Sequence, residues 1–523
     1  MIASTDETEV VILGAGISGL LFAAQLIRMG VIPTVVAQRA SGYSQSQHVH
    51  ASAWSMEILQ QLGLPTDKLE RFEIEGLTVQ KRRLVFGSLA FQPLKDSAFP
   101  ILQIFKPSAL EQLLVQYLTQ HACPIRWNVS VDTLEPTRHG YRLQLNSNGT
   151  SQEIHTAWLI NADQADKILN KTKIAEDPLS SGSMFSAQIQ VQESLNRHLH
   201  FFLSKQGNIQ LLPVDGKGLY QITGKLQKHR PSNPEEMRGL LKEILGFDLP
   251  IQGGIIWNTE RILGHTAQEK LAHRAISIGA DVDRSHPIIW GASINLAIQN
   301  THNLAWKLAY VIKGKMPSSI LYSYTRERDS VEKALQSPRS STKLMRFIKP
   351  PFGLFRNRLI QSFFSRIQRN PDSYTQYMRM LGQTNLHYRN SDLSIHLSSS
   401  KTLKAGDRLP NLQVYHEKAK KLTSLHEWCS KTGFILLLLG HIPESQLFAI
   451  AQWITQKYSP FIHLFYLPYS KRNKGVFEAL SVQHEQRKML LIRPDMYIAC
   501  LHDECNTGLI DTYMLEVLQW NTA

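Results

Sequence analysis

The start of the chain alternates short apolar runs with one longer periodic segment. Residues Glu9 to Leu13 form a β-branched apolar run of the kind that lies buried in a parallel sheet. Between Leu20 and Met29 the apolar residues recur at helical spacing, and Gly30 follows directly. A second apolar run, Thr34 to Ala37, comes next. This order predicts a strand–helix–strand unit.

Three glycines occupy the turn between the first strand and the helix, in the pattern Gly-x-Gly-x-x-Gly. Gly14 allows a tight turn, Gly16 lets the backbone approach a phosphate, and Gly19 lets the helix pack against the strand. Because the first amides of a helix favour an anion, we predict a dinucleotide site, with a glycine turn that only packs as the alternative. Gln38 ends the second strand, where such sites usually have a ribose-binding acid, so we expect it to bind the ribose through a neutral amide.

Two further sets of apolar runs predict two more sheets. Phe434 to Leu439 and Phe461 to Leu467 are far shorter than the ~20 residues needed to cross a membrane, so we predict buried strands. In the middle of the chain, short β-type runs separated by Gly and Pro predict a mostly antiparallel sheet. These runs are 184–191, 200–203, 207–213 and 219–223.

Composition is ordinary for a globular protein and leaves the partner open. The chain has 523 residues, of which 43% are hydrophobic and 19% charged, with a formal charge of +14. A basic balance fits an anionic ligand, a nucleic acid or a membrane surface. The four cysteines are too few for a disulfide framework and show no C-x-x-C spacing, so no metal site is expected. The first nine residues hold three acids and no base, unlike a secretory signal, so a cytoplasmic location is expected.

The basic excess is concentrated in residues 339–369, which carry eight Lys or Arg, no acid and five interleaved Phe. A basic aromatic stretch can bind a membrane surface weakly, or a nucleic acid. The other interpretation is a helix pair that packs through its Phe and Leu side chains and leaves its bases in water. Since no nucleic-acid-binding module accompanies the stretch, we expect no nucleic acid as partner.

A series of motifs lies in the second half of the chain. They are a run ending in Ala280-Asp281, His286-Pro287, Trp290 to Asn295, His302-Asn-Leu-Ala-Trp-Lys-Leu308 and Tyr324 to Arg328. Together these motifs resemble the FAD-dependent aromatic-ring hydroxylases, the flavoprotein monooxygenases of the para-hydroxybenzoate and phenol hydroxylase type. Residues 404–411 and 490–495 resemble the thioredoxin-like tail of the phenol hydroxylase branch.

The resemblance implies an α/β fold with three parts. A Rossmann-like FAD-binding domain would comprise 1–70, 101–180 and 265–395. An inserted antiparallel β substrate domain would comprise 71–100 and 181–264, and a thioredoxin-like α/β domain 400–523. FAD is the implied cofactor and NAD(P)H the co-substrate, and a C4a-hydroperoxyflavin would hydroxylate a phenol- or quinol-like ring. A homodimer is compatible with this organisation.

The resemblance also assigns candidate site residues. His50 and Trp290 are the candidates on the substrate side. The alternatives are a surface or core histidine for His50, and for Trp290 a ring that fills the place of the flavin. His302, Trp306 and Lys307 are expected to be core residues. The implied cofactor-binding residues are Gly14, Gly16, Gly19, Gln38, Asp163, Asp281, Pro287, Gly291 and Asn295.

Several cofactor contacts depart from the family pattern. At ~1 kcal/mol each, five or six such losses would reduce affinity more than a thousandfold if they were additive. The alternative function is therefore a flavin-fold homologue with weak or lost FAD binding that acts as a non-catalytic binding or assembly protein. A membrane-surface quinone hydroxylase is a further hypothesis, resting on 339–369. The departures are Gln38, Gln47, Pro107, Asn161, Gln164, Ala280 and Ser293.

Overall fold

The structure is a computed structural model of the chain. The residues it describes are 6–41, 48–162, 183–191, 195–204, 207–226, 234–247, 251–258, 274–278, 292–335, 353–417 and 419–522.

The predicted strand–helix–strand unit is confirmed and forms the middle of the first sheet. Strand Asp6–Leu13 pairs in parallel with Thr34–Val36 on one side and Thr150–Asn161 on the other. The connecting helix, Ile17–Arg28, begins earlier than the expected Leu20, and residues Gly19 to Ile27 are all buried. Strand ends of this parallel set converge at the glycine turn, where ligands bind in open α/β sheets. The remaining strands of this seven-stranded sheet are Ile125–Arg126, Ser130–Thr137, Gly140–Ser147 and Ala275–Ser277.

The second sheet confirms the antiparallel arrangement expected in the middle of the chain. Its one parallel pairing among the described residues joins His198–Leu203 to Gly76–Lys81. Leu77, Phe201 and Leu212 on one face belong to a cluster with Leu102 and Ile104. The seven strands are Gly76–Lys81, Leu84–Ala90, Ser183–Val191, His198–Leu203, Gly207–Pro213, Leu219–Leu226 and Ile251–Asn258.

The third sheet contains the two most apolar runs. Strand Phe434–Leu439 lies inside the sheet and is buried throughout. Strand Ile462–Leu467 forms as predicted, but full burial was wrong: it is an edge strand, and only its two end residues are buried. The other strands are Ile395–Leu397, Lys488–Ile492 and Ile498–His502. Two smaller sheets comprise Val49–Ser52, Phe72–Glu73 and Leu102–Phe105, and Gln413–His416 and Lys421–Ser424.

The helix Ala292–Ile312, called the long helix below, packs between the first and third sheets. Ile12 of the first sheet, Leu304 of the long helix and Leu437 of the third sheet belong to one continuous hydrophobic cluster. The two sheets therefore share a single core. The other α-helices are Ile17–Arg28, Ala53–Gln61, Pro107–Gln120, Pro234–Leu245, Tyr322–Leu335, Gly353–Arg369, Pro371–Leu381, Leu425–Trp428, Glu444–Lys457, Lys474–Ala479 and Thr507–Thr512.

The described part of the basic aromatic stretch packs through its apolar side. In helix Gly353–Arg369, Ile360, Phe364 and Ile367 are buried in the same cluster as the second sheet. A Cβ added at Gly87 would lie 2.2 Å from the Phe364 ring, so strand and helix are in close contact. Arg358, Arg366 and Arg369 are exposed, which supports the packing interpretation. Residues 339–352 lie outside the described residues. Among the helices that are described, none has the length and apolar character needed to cross a lipid bilayer.

Candidate functional site

The glycine turn has the geometry of a phosphate-binding loop. Gly14 has a φ of 109°, in the region that favours glycine, and its amide donates to Val36 O at 2.8 Å. A Cβ at Gly19 would lie 2.0 Å from the carbonyl oxygen of Gly14, so only glycine fits. At Gly16, by contrast, a Cβ would meet no atom of the described residues within 4 Å. Gly14 and Gly19 therefore shape the turn, whereas Gly16 borders open space.

The helix that follows the turn presents an anion site. Gly16 is its N-cap and has no side chain that could accept a hydrogen bond from the first amides. The first turn carries no acidic residue that would compete for those amides. Unpaired amides and the positive end of the helix dipole together favour a phosphate here. The loop thus fits the pyrophosphate of a dinucleotide.

Gln38, at the end of the second strand, is exposed. Its predicted contact with a ribose stays a prediction. The next residue, Arg39, donates to Ala15 O at 2.6 Å and lies 3.3 Å from the buried carboxylate of Glu111. Its guanidinium also stacks over Trp127, 5.4 Å from the ring centroid. Arg39 therefore links the glycine turn to the helix that contains Glu111, a role that sequence reasoning missed although Arg39 directly follows Gln38.

Asn295 lies in the first turn of the long helix and binds the strand that carries His50. Its Oδ1 accepts from the Ser52 amide at 2.8 Å, and its Nδ2 donates to His50 O at 3.1 Å. Asn295 is 1% exposed. Because both ends of the amide are used, Asn295 fixes the strand Val49–Ser52 against the start of the long helix. Its predicted contact with the cofactor stays a prediction.

Two neutral histidines lie on this strand or beside it. Burial lowers the pKa of His50 to about 4, and no hydrogen bond to its ring is present among the described residues. Burial, with Lys106 as the second cause, lowers the pKa of His48 to about 4. His48 Nδ1 lies 3.2 Å from Nε2 of Gln188 in the second sheet. The histidines therefore stand where the second sheet meets the start of the long helix.

The face of the second sheet on this side carries Gln188, Gln210 and Gln221, called the glutamine group below. Gln188 pairs in register with Gln221, and Gln210 lies opposite Phe201. Phe201 belongs to the same cluster as Ile104, which is the register partner of His50. Gln210 is 2% exposed, and neither polar atom of its side chain has a hydrogen-bond partner among the described residues. A buried amide without a partner requires an explanation, and a bound ligand is one.

The remaining predicted site residues fall outside this description. Asp163, Asp281, Pro287, Trp290 and Gly291 lie outside the described residues.

The long helix contributes residues to a buried charged cluster that sequence reasoning missed. His302, Trp306 and Lys307 are buried as expected for core residues. Lys307 Nζ, however, lies 2.7 Å from Glu327 Oε2, and Trp306 Nε1 donates to Asp495 at 3.1 Å. The motifs that contain these residues were visible in the sequence, but nothing in it indicated that they meet.

Comparisons with known proteins identify the family to which the chain belongs. Residues 7–337 match the family model described as the FAD binding domain. The chain is 23% identical to pentachlorophenol 4-monooxygenase of Sphingobium chlorophenolicum, over 63% of this chain and 63% of that protein. It is 23% identical to 6-methylpretetramide 4-monooxygenase of Streptomyces rimosus, over 74% of this chain and 71% of that protein. Among solved structures, anhydrotetracycline hydroxylase OxyS from Streptomyces rimosus superposes with a TM-score of 0.71, 20% identity and coverage of 99% and 100% of the two chains.

The fold and the glycine turn define a dinucleotide-binding α/β protein. The chain belongs to the FAD binding domain family, whose model covers more than half of it. The open space at Gly16 and the uncapped helix fit the FAD phosphates. The α/β fold expected from the sequence is confirmed. The thioredoxin-like character of the C-terminal region and the exact domain boundaries stay predictions, although the third sheet already begins at Ile395.

Proposed function

We propose that this protein is an FAD-dependent monooxygenase that hydroxylates a phenol- or quinol-like aromatic substrate with NAD(P)H and O₂. Family membership and the glycine turn support FAD binding. The relatives found are named monooxygenases, which supports the catalytic interpretation over the non-catalytic one. The chain aligns with only 63% of the length of pentachlorophenol 4-monooxygenase. The activity of the whole chain is therefore our proposal.

Two parts of the chain, the glycine turn and the start of the long helix, would hold different parts of the cofactor. The amides after Gly16 would hold the phosphates, and the start of the long helix near Asn295 would lie toward the ring system. When bound, FAD supplies the redox chemistry with NAD(P)H and O₂. The protein orients the substrate, excludes water and supplies hydrogen bonds to its polar groups.

The observation that supports the substrate site is the buried, neutral state of His50. It is 6% exposed, its pKa is lowered to about 4 by burial, and no described group satisfies its ring. At neutral pH the imidazole is therefore uncharged and can accept a hydrogen bond from a substrate hydroxyl. A pKa this low makes His50 a weak base, so we propose that it orients and polarises the hydroxyl rather than removing its proton completely.

The glutamine group indicates an uncharged substrate surface. Amides can donate to a carbonyl and accept from a hydroxyl, but they do not neutralise a carboxylate. Gln210, with both polar atoms unpartnered, is placed by register on the face that packs toward the strand of His50. We infer that the ring carries hydroxyl or carbonyl groups on the side that faces the second sheet.

The test begins with the absorbance of the purified full chain between 350 and 500 nm. Stoichiometric flavin, followed by NAD(P)H oxidation that is faster with added phenols, is the expected result. A colourless protein that takes up no added FAD would refute the proposal.

The role of His50 is tested in the same protein. His50→Leu is expected to raise KM for the phenol while the flavin content is unchanged. His50→Gln keeps a hydrogen-bond acceptor, so its KM is expected to rise less. If His50→Leu and the unaltered chain have the same KM for the phenol, His50 is not part of the substrate site.

A further inference from the structure

Four charged side chains from distant parts of the chain meet in the core. Lys307 lies on the long helix and Glu327 on helix Tyr322–Leu335. Arg493 and Asp495 lie in the turn between strands Lys488–Ile492 and Ile498–His502 of the third sheet. The side chains are 0% or 1% exposed. We call these residues the ion cluster.

Glu327 forms the centre of the ion cluster. Arg493 Nη1 donates to Oε1 at 2.6 Å, and Lys307 Nζ donates to Oε2 at 2.7 Å. Asn303 Nδ2 and Ser391 Oγ donate to the same carboxylate at 2.8 and 2.6 Å. Burial alone would raise the pKa of Glu327, but the Arg493 and Lys307 cations lower it well below its ordinary value. The carboxylate is therefore ionised and fully hydrogen-bonded.

Asp495 connects the third sheet directly to the long helix. It accepts from Trp306 Nε1 at 3.1 Å and from Asn303 Nδ2 at 3.2 Å. Arg493 donates to it at 2.9 and 2.5 Å. Two cations and two anions cancel, and no polar atom of Lys307, Glu327, Arg493 or Asp495 lacks a partner in the described structure.

Stability alone does not account for this arrangement. Replacing a buried ion group by apolar residues of similar volume is often neutral or stabilising, because desolvation offsets the Coulomb attraction. What such a group does provide is a single permitted geometry, since a shift of one member leaves a buried charge unpaired. The ion cluster therefore fixes the rotation and height of the long helix relative to the third sheet.

The same helix reaches the candidate site. Asn303 lies eight residues after Asn295, which at 1.5 Å per residue is about 12 Å along the helix axis. Asn295 holds the backbone of His50 and Ser52 through both ends of its amide. Helices transmit such displacements as rigid elements, so a shift at Asn303 moves Asn295 and the strand of His50 with it.

We propose that the C-terminal region acts on the FAD site through Arg493 and Asp495, which are positioning residues for the start of the long helix. This inference rests on FAD binding at the glycine turn, as in the proposed function. If the unaltered chain binds no FAD, the proposed function fails first. Only when it binds FAD do the variants below decide the inference.

The test uses the full chain with Asp495→Asn, which keeps the shape of the side chain and removes its charge. The dissociation constant of FAD is measured by flavin fluorescence, and the environment of the bound flavin by its visible circular dichroism. We expect at least a tenfold weaker affinity and an altered dichroism band. If Asp495→Asn does not fold, Trp306→Phe removes the indole donor to Asp495 together with part of the buried ring, and a threefold or larger loss of affinity is expected.

The matched control is Lys488→Met, in the third sheet but away from the long helix. Lys488 is 3% exposed and donates to the Leu480 and Ser481 carbonyls, so its loss destabilises the same region. We expect a lower melting temperature with FAD affinity and dichroism unchanged. The inference is overturned if Asp495→Asn binds FAD within twofold of the unaltered chain, or if Lys488→Met weakens FAD as much as Asp495→Asn does.

Discussion

Gly16→Ala tests the contact between the glycine turn and the cofactor, because it should weaken FAD binding while leaving the stability of the turn nearly unchanged. Gly16 has φ −71° and ψ 176°, an extended conformation that alanine adopts without strain. In the part of the chain that the structure describes, the added Cβ would meet no atom within 4 Å. The loss of glycine at the N-cap costs roughly 1 kcal/mol at most, so the apoprotein should melt close to the unaltered chain.

The effect on FAD should be larger than the effect on folding. A methyl group at Gly16 occupies the space through which a pyrophosphate approaches the backbone. We expect the dissociation constant of FAD to rise at least tenfold, which corresponds to about 1.4 kcal/mol. Gly16→Ser should bind FAD more weakly still, because its hydroxyl can cap the first amides that the phosphates would use.

Gly19→Ala is the contrasting variant. Its Cβ would lie 2.0 Å from the backbone oxygen of Gly14, so the helix must move away from the strand. We expect a lower melting temperature of the apoprotein, with a cost of about 3 kcal/mol or more. Melting temperature and fluorescence titration are measured on all three variants. FAD affinity within twofold of the unaltered chain in Gly16→Ala would refute the placement of the phosphates.

Three further predictions concern buried polar groups. Stability should fall by up to ~1.4 kcal/mol per pH unit between pH 6.5 and about 4 for His50, and between pH 6.5 and about 3 for His426, because burial lowers their folded-state pKa values to about 4 and about 3. A flat melting profile from pH 7 to 5 would contradict this. Gln210→Leu should raise the melting temperature, since it removes an unpartnered amide that costs ~1–3 kcal/mol; a decrease would reveal a hidden partner. Arg408→Met should destabilise by ~3–5 kcal/mol, because it removes the cation that lies 2.6 Å from the buried Glu57 carboxyl, whose pKa burial already raises, and adding Glu57→Gln should recover much of the loss.

Local features of the fold were predictable because local chemistry determines them. Gly14 and Gly19 are required by a positive φ and by a close backbone approach, both of which follow from the spacing of the motif. The apolar run at Phe434 predicted a buried strand, and that strand lies inside the third sheet. The equally apolar run Ile462–Leu467 lies at an edge, because strand order depends on connections that apolar content does not encode.

The candidate site was predictable only in part, for a different reason. His50 was proposed from its place in a resemblance, whereas the low pKa that keeps its ring neutral depends on burial by other segments. Arg39 and Glu111 are separated by 72 residues, and Glu327 and Arg493 by 166. Pairing of charges over such distances requires the tertiary fold, so the sequence showed the members and not the pairs.

The ion cluster also has a consequence for how the chain is made. Glu327 leaves the ribosome 166 residues before Arg493. At ~5–20 residues per second, roughly 8–33 seconds pass before the carboxylate can meet that guanidinium. During this interval Trp306 and the apolar face of the long helix lack the third sheet that covers them. The nascent FAD-binding part therefore exposes core surface until synthesis has passed strand Ile498–His502, and this is the period in which the chain is most open to chaperones and to aggregation.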